Sequence, residues 1–207
     1  MRMQRFAVTA SIALAVALLG APSAGAAGWM VGGSELSGSE ALATTAKVTE
    51  NYKLTSAGVT VECSGNTVNS TSPELLSPDK ASASSIIFTH CEPLGGECTI
   101  PRSELGTVPI ELEATLEGSK EVRAVIKPKT GKIFASIQYE GSKCALAGVK
   151  TIKGKATAIK PTEQQERTLQ ESVLDTGSGE LEIGNVEATL KGKALHKLAS
   201  SKTWSFL

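Results

Sequence analysis

A strict two-residue alternation is the feature that most constrains the fold of this chain. In the segment 108–117 the apolar side chains fall on every second position, at Val108, Ile110, Leu112, Ala114 and Leu116. An α-helix repeats every 3.6 residues and cannot keep such a set on one face, whereas a strand repeats every two. The segment therefore predicts a β-strand with one buried face, and shorter alternating runs recur along most of the chain.

Register matching extends this strand into a predicted three-stranded meander over residues 108–139. A slip of one residue exchanges the two faces of a strand, so apolar positions must lie opposite apolar positions. The turns that this register requires are 118–120 and 128–131. The register places Ala124 opposite Ala135 and, on the polar face, Glu111 opposite Lys127. Opposite charges across a strand pair attract, so we interpret the segregated charges of this region mainly as sheet pairing.

The remaining segments predict an all-β fold. Further strands are expected at 45–55, 67–70, 149–159, 166–171, 180–190 and 193–197, and glycines within these runs (Gly154, Gly184 and Gly192) predict bulges or bends. We expect no long amphipathic helix, and at most one short helical turn within 73–85. Ten or so short strands favour an antiparallel β-sandwich, with a closed or partly open antiparallel β-barrel as the alternative. Trp29 and Trp204 are expected to bring the two terminal segments together.

Residues 1–26 have the pattern of a secretory signal peptide. Two arginines precede an uncharged apolar stretch at 6–19, and Ala24 and Ala26 form a small-residue cleavage site. The stretch is shorter than the roughly 20 residues that a membrane-spanning helix needs. We therefore expect a secreted protein, extracellular or in the cell envelope, with a single all-β domain at 27–207 and no transmembrane segment after cleavage.

Export makes the four cysteines interpretable. An even set in an oxidising compartment indicates two disulfides. We favour Cys63–Cys91 with Cys98–Cys144, and the rival pairing is Cys91–Cys98 with Cys63–Cys144. The spacings contain no C-x2-C pair, which argues against a zinc site, and we expect neither a metal nor a cofactor.

The sequence offers little chemistry for catalysis, and we expect a protein that is not an enzyme. No G-x-S-x-G motif occurs, and His90 is expected to point away from its neighbour Cys91. His196 lies among lysines and is expected to be solvated. Glu111 and Glu113 share one strand face, as paired carboxylates of a hydrolase could, but salt-bridged surface groups are the simpler interpretation.

The balanced charge of the chain gives no indication of a nucleic-acid partner. The chain has 21 Lys and Arg against 21 Asp and Glu, a formal net charge of zero. A nucleic-acid-binding domain usually carries a basic excess, so we expect no nucleic acid.

Several segments together resemble the uncharacterised exported, disulfide-containing all-β proteins of high-GC Gram-positive bacteria. The residues that carry this resemblance are the start of the mature chain at 28–33, the strand from Val59 to Cys63, the run from Phe88 to Cys91 followed by Cys98, then Cys144 and the strand around Gly154. The resemblance implies export, disulfides and a β fold, and it implies no activity.

Three functions follow as hypotheses from these patterns. The leading one is a non-catalytic interaction protein that binds an unknown extracellular or cell-envelope partner. The predicted meander sets Val125 beside Phe134 on the charged face, where they would form a small apolar partner patch unless another sheet or loop covers them. The alternatives are a carrier of a small apolar ligand inside a β-barrel, and a hydrolase that uses Glu111 and Glu113.

Overall fold

The protein is built from antiparallel β-sheet throughout the part of the chain that its computed structural model describes, residues 28–68, 73–94, 97–117, 121–161 and 166–206. The strands are β1 (Trp29–Val31), β2 (Ser34–Glu35), β3 (Ser39–Ala41), β4 (Lys47–Ser56), β5 (Val59–Val68), β6 (Glu74–Leu76), β7 (Lys80–Ala83), β8 (Ile86–Leu94), β9 (Glu104–Gly106), β10 (Ile110–Glu117), β11 (Glu121–Pro128), β12 (Ile133–Tyr139), β13 (Gly148–Gly154), β14 (Ala156–Pro161), β15 (Gln170–Asp175), β16 (Leu181–Ile183), β17 (Val186–His196) and β18 (Trp204–Phe206). The predicted all-β class is confirmed. Among these residues, no helix has the length and apolar character that crossing a membrane requires.

The main sheet follows the order β3-β6-β7-β10-β11-β14-β15-β17-β4-β5-β8-β9 and branches at β17. One edge of β17 pairs with β4, while the other edge is shared between β16 at its start and β15 at its end. From β16 the branch continues through β13 to β12. The main path curls strongly into a half-barrel, because β7 and β8, which are far apart in this order, line the same internal cavity.

The first hairpin of the predicted meander has the predicted register. Ala114 lies opposite Ala124, and Glu111 lies opposite Lys127, with 3.3 Å between Glu111 Oε1 and Lys127 Nζ. The predicted turn at 118–120 lies outside the described residues.

The third strand of the meander was predicted wrongly. Strand β11 pairs with β14, so that Ala124 faces Ala158, and β12 pairs with β13 instead. The register of β12 shifts between Ile133 and Ala135, a bulge that buries both Phe134 and Ala135. Alternation identifies matching faces, but it cannot choose between partner strands that carry the same pattern.

Of the other local predictions, one is wrong and two are confirmed. The segment 73–85, expected to hold a short helical turn, forms the hairpin of β6 and β7. The terminal segments do come together: β1 pairs with β18, and the rings of Trp29 and Trp204 lie 5.9 Å apart between centroids. Gly192 lies at a register shift between β17 and β4, as the glycine pattern predicted.

Both favoured disulfides form. Cys63 and Cys91 face each other directly across β5 and β8. Cys98 and Cys144 join the segment after β8 to the loop after β12, beside the bridge between Thr99 and Glu140. The Cys98–Cys144 bond therefore ties the end of the main path to the branch, whereas Cys63–Cys91 joins two neighbouring strands of the main path.

The Cys98–Cys144 bond is expected to contribute strongly to stability because it closes a long loop. Its cysteines are 46 residues apart, and replacing both with alanine should lower the free energy of unfolding by about 4 kcal/mol. Chemical denaturation measures this loss, and non-reducing peptide mapping should recover the Cys63–Cys91 and Cys98–Cys144 linked peptides. A Cys91–Cys98 peptide would contradict this pairing.

Gly192→Ala is expected to destabilise the protein through Tyr52. A Cβ at this position would stand 2.5 Å from Tyr52 Cδ1 and 3.0 Å from its Cα, so the ring and the backbone beside it must move. We expect a loss of about 1–3 kcal/mol in the free energy of unfolding. Gly38→Ala is the matched control, since a Cβ there meets no atom within 4 Å. Equal denaturation midpoints for the two variants would show that the packing of Tyr52 tolerates a methyl group at position 192.

Candidate functional site

An apolar cavity of about 180 Å³ lies inside the curl of the main sheet. Both halves of the curl and the small terminal sheet of β1 and β18 contribute to its wall. The apolar lining residues are Trp29, Leu42, Tyr52, Leu75, Ala81, Ala83, Ile86, Phe88, Ile110, Leu112, Val122, Ala124, Ile126, Ala158, Ile159, Leu174, Trp204 and Phe206. Its volume follows from side-chain size, because the paired positions Ala124 and Ala158 both carry a single methyl group where larger residues would fill the space.

Aromatic rings close the cavity on the side of the terminal sheet. Trp29 packs edge-on against Phe206, with 4.8 Å between ring centroids, and contacts Trp204. The indole nitrogen of Trp29 donates a 2.7 Å hydrogen bond to the carbonyl oxygen of Lys80, so its polar atom is satisfied. The hydrogen bond to Lys80, on β7, fastens β1 to the main sheet.

Tyr52 forms another part of the wall. Its ring packs edge-on against Phe88 at 5.0 Å, and its hydroxyl oxygen accepts a 3.0 Å hydrogen bond from Asn66 Nδ2. Burial raises the pKa of Tyr52 to about 12, in spite of the opposing effect of the Asn66 bond. The phenol is therefore neutral at physiological pH, which suits an apolar wall.

Ser172 and His196 form a polar pair within this wall. They lie on the neighbouring strands β15 and β17, where Gln170 is the direct partner of His196 and Ser172 is two residues further along the same face. Ser172 Oγ and His196 Nε2 are 2.8 Å apart, a hydrogen-bond distance. Both residues line the cavity.

Burial controls the protonation of His196. Although the residue as a whole is only half-buried, the surrounding protein lowers the pKa of His196 to about 4 by desolvating the charged form. The imidazole is consequently neutral at pH 7 and can both donate and accept hydrogen bonds.

The prediction that His196 is solvated was wrong. The lysines that suggested a solvated stretch, Lys191, Lys193 and Lys197, occupy odd positions, whereas His196 shares even parity with the fully buried Ala194. Successive residues of a strand point to opposite faces, so the alternation already indicated that His196 lies on the same inward face as Ala194. Ser172 likewise shares its face with the buried Gln170.

The predicted partner patch is not assembled. Val125 lies opposite Thr157 on β14, and Phe134 lies on β12 with only 4% of its surface exposed. The predicted adjacency of Val125 and Phe134 is wrong because β11 and β12 do not pair along their length. The alternative that the fold covers Phe134 is the one observed.

The other residues considered for chemistry lie away from the cavity. Glu111 forms its ion pair with Lys127 across the hairpin, and the neighbouring Glu113 is exposed. His90 is exposed and has a positive φ of 53°, while Cys91 beside it is buried in its disulfide, as the opposite faces of a strand predicted. Neither glutamate is among the residues that line the cavity.

Neither a metal site nor a known relative indicates what this protein does. Across the described ranges, no group of three or more His, Cys, Asp or Glu residues could hold a metal ion. No protein-family model, curated protein or solved structure is significantly similar to this chain. Functional inference therefore depends on the geometry of the cavity.

His196 should make the stability of the protein fall on acidification. The pKa is 6.5 for an ordinary histidine and about 4 in the fold. Its contribution is fully present above pH 6.5 and is lost as the pH falls towards 4, because only the unfolded chain then takes up the proton. The loss amounts to roughly 3 kcal/mol.

Chemical denaturation at a series of pH values between 7 and 4 measures the slope of the free energy of unfolding against pH. His196→Gln should flatten it, whereas His90→Asn, which removes the exposed histidine at a position that suits asparagine, should leave it unchanged. Carboxylate protonation affects all three proteins alike. The same slope in both variants would refute the assignment to His196.

Proposed function

We propose that this protein is a secreted binding protein that carries a small apolar molecule in its internal cavity. The observation that carries the proposal is the cavity of about 180 Å³, whose wall consists mostly of aliphatic and aromatic side chains. Sites for small molecules are typically concave, apolar and furnished with a few polar groups. This cavity has that composition.

The volume limits the ligand to a small molecule. An apolar cavity of about 150 Å³ in another protein stays dry and binds benzene or xenon. A cavity of about 180 Å³ therefore suits a single ring with a short substituent, roughly seven to ten non-hydrogen atoms.

The architecture supports this alternative better than the interaction hypothesis. A curled half-barrel with an internal space favours a partly open barrel over a flat two-layer sandwich. The interaction hypothesis loses the apolar contact patch suggested for it, because Phe134 is buried. The hydrolase alternative is supported less, since Glu111 is occupied in an ion pair.

Export is part of the proposal. Two disulfides within the described residues are consistent with an oxidising environment. The signal-peptide pattern at 1–26 supports secretion. A carrier outside the cell or in its envelope would collect or release a small apolar molecule there.

Binding of ethylbenzene tests the cavity directly. A ligand that binds only the folded protein stabilises it in proportion to the logarithm of its concentration, by about 2.7 kcal/mol at a hundredfold excess over Kd. We expect such stabilisation of the purified oxidised protein in thermal unfolding experiments with increasing ethylbenzene.

A cavity-filling variant provides the specific control. Ala124→Leu adds three carbon atoms to the lining and should abolish the ethylbenzene effect. Ala199→Leu makes the same change at an exposed position outside the lining and should preserve it. If the wild-type protein is not stabilised, or if Ala124→Leu responds like Ala199→Leu, ligand binding in this cavity is refuted.

A further inference from the structure

The cavity holds one polar hydrogen-bonding pair that can face a ligand. Ser172 and His196 lie on adjacent strands, line the space together and are joined by a 2.8 Å hydrogen bond. Two other polar groups of the wall are engaged with protein: Tyr52 bonds to Asn66, and Gln170 Nε2 donates to the carbonyl of Trp204. The lining also contains the single hydroxyl group of Ser82 and the carboxylate of Glu171, whereas Ser172 and His196 offer a ligand a donor and an acceptor side by side.

The pair presents both a donor and an acceptor in either histidine tautomer. If Nε2 accepts the serine proton, Nδ1–H is a donor and Ser172 Oγ keeps acceptor capacity. If Nε2–H donates to Ser172, the serine hydroxyl is the donor and Nδ1 the acceptor. Within the described ranges, no protein group is hydrogen-bonded to His196 beyond Ser172. A hydroxyl group, which also donates and accepts, complements this arrangement.

The charges of the side chains that line the cavity disfavour an anionic ligand. Of the described residues that line the cavity, none is a lysine or arginine, and the charged one is Glu171, a carboxylate. His196 adds no positive charge at neutral pH, since burial lowers its pKa to about 4. An anion in this space would be desolvated without a counter-charge, which is strongly unfavourable.

The same features make the pair a poor nucleophilic dyad. A serine–histidine nucleophile needs a third group to orient the imidazole, and no carboxylate in the described structure is hydrogen-bonded to His196. A base is most effective with a pKa near the working pH. The geometry therefore suits recognition better than acyl transfer.

We propose that the Ser172–His196 pair is the recognition site for the polar end of the ligand, and that the ligand is a small neutral alcohol: one ring or short branched hydrocarbon that carries a hydroxyl group. The inference rests on the proposed function, because it assumes that the cavity takes up a molecule. It adds the chemical class of that molecule and the residues that select it.

Three probes of nearly equal size distinguish the ligand classes. Benzyl alcohol carries the hydroxyl, ethylbenzene replaces that hydroxyl with a methyl group, and benzoate is anionic at pH 7. Their dissociation constants for the oxidised protein can be measured by calorimetry or from ligand-dependent stability. We expect benzoate to bind at least tenfold more weakly than benzyl alcohol, because an anion lacks a counter-charge in this cavity.

Ser172→Ala tests the recognition site. Loss of one hydrogen bond should weaken benzyl alcohol about fivefold, while the affinity for ethylbenzene should stay within about twofold because this probe makes no such bond. Ser82→Ala is the matched control, since it removes a lining hydroxyl group on β7 and leaves the pair intact. It should affect neither probe.

The outcomes separate the two proposals. If none of the three probes binds, the cavity function fails and this inference fails with it. If ethylbenzene binds but Ser172→Ala changes both probes equally or neither, the recognition site is overturned and the cavity function stands. Benzoate that binds as tightly as benzyl alcohol overturns the choice of a neutral ligand.

Discussion

Backbone pairing along β17 is the constraint on which the rest of the structure depends. This strand pairs with β4 along one edge, and on the other edge it changes partner from β16 to β15. Gly192 lies near that change, where the register with β4 shifts and Tyr52 packs closely over the glycine. The sheet divides there into a branch that builds a dense core and a branch that curls around the cavity.

The two branches differ in how completely side chains fill them. On the branch through β13 and β16, Ile152, Leu181 and Ile183 are almost fully buried against their neighbours. On the curled branch, alanines at facing positions leave the space open. Such incomplete filling forfeits packing contacts and weakens the fold. Each disulfide is expected to contribute about 3–4 kcal/mol, which offsets this loss.

Several features of the fold illustrate what local patterns can predict. The hairpin of β10 and β11 and the meeting of the terminal tryptophans follow from parity and apolar character. The cysteine pattern predicted two disulfides but left a rival pairing open, and the favoured pairing is the one that forms. The alternation along β17 already indicated that His196 faces inward. The lysines at the alternate positions suggested instead that the whole stretch is solvated. Phe134 shows the opposite case, because a bulge reverses the alternation from which its exposure was predicted.

The sequence by itself determined the all-β class, the disulfide chemistry and the faces of most strands, because these depend on residues close together in the chain. Only the tertiary structure decided that β11 pairs with β14, that the sheet branches at β17 and that Ser172 meets His196 inside a cavity. The physical reason is that several strands carry compatible faces, so two-residue periodicity leaves the choice of partner open. Packing volume and the closure of the whole sheet select one arrangement, and that selection creates the site.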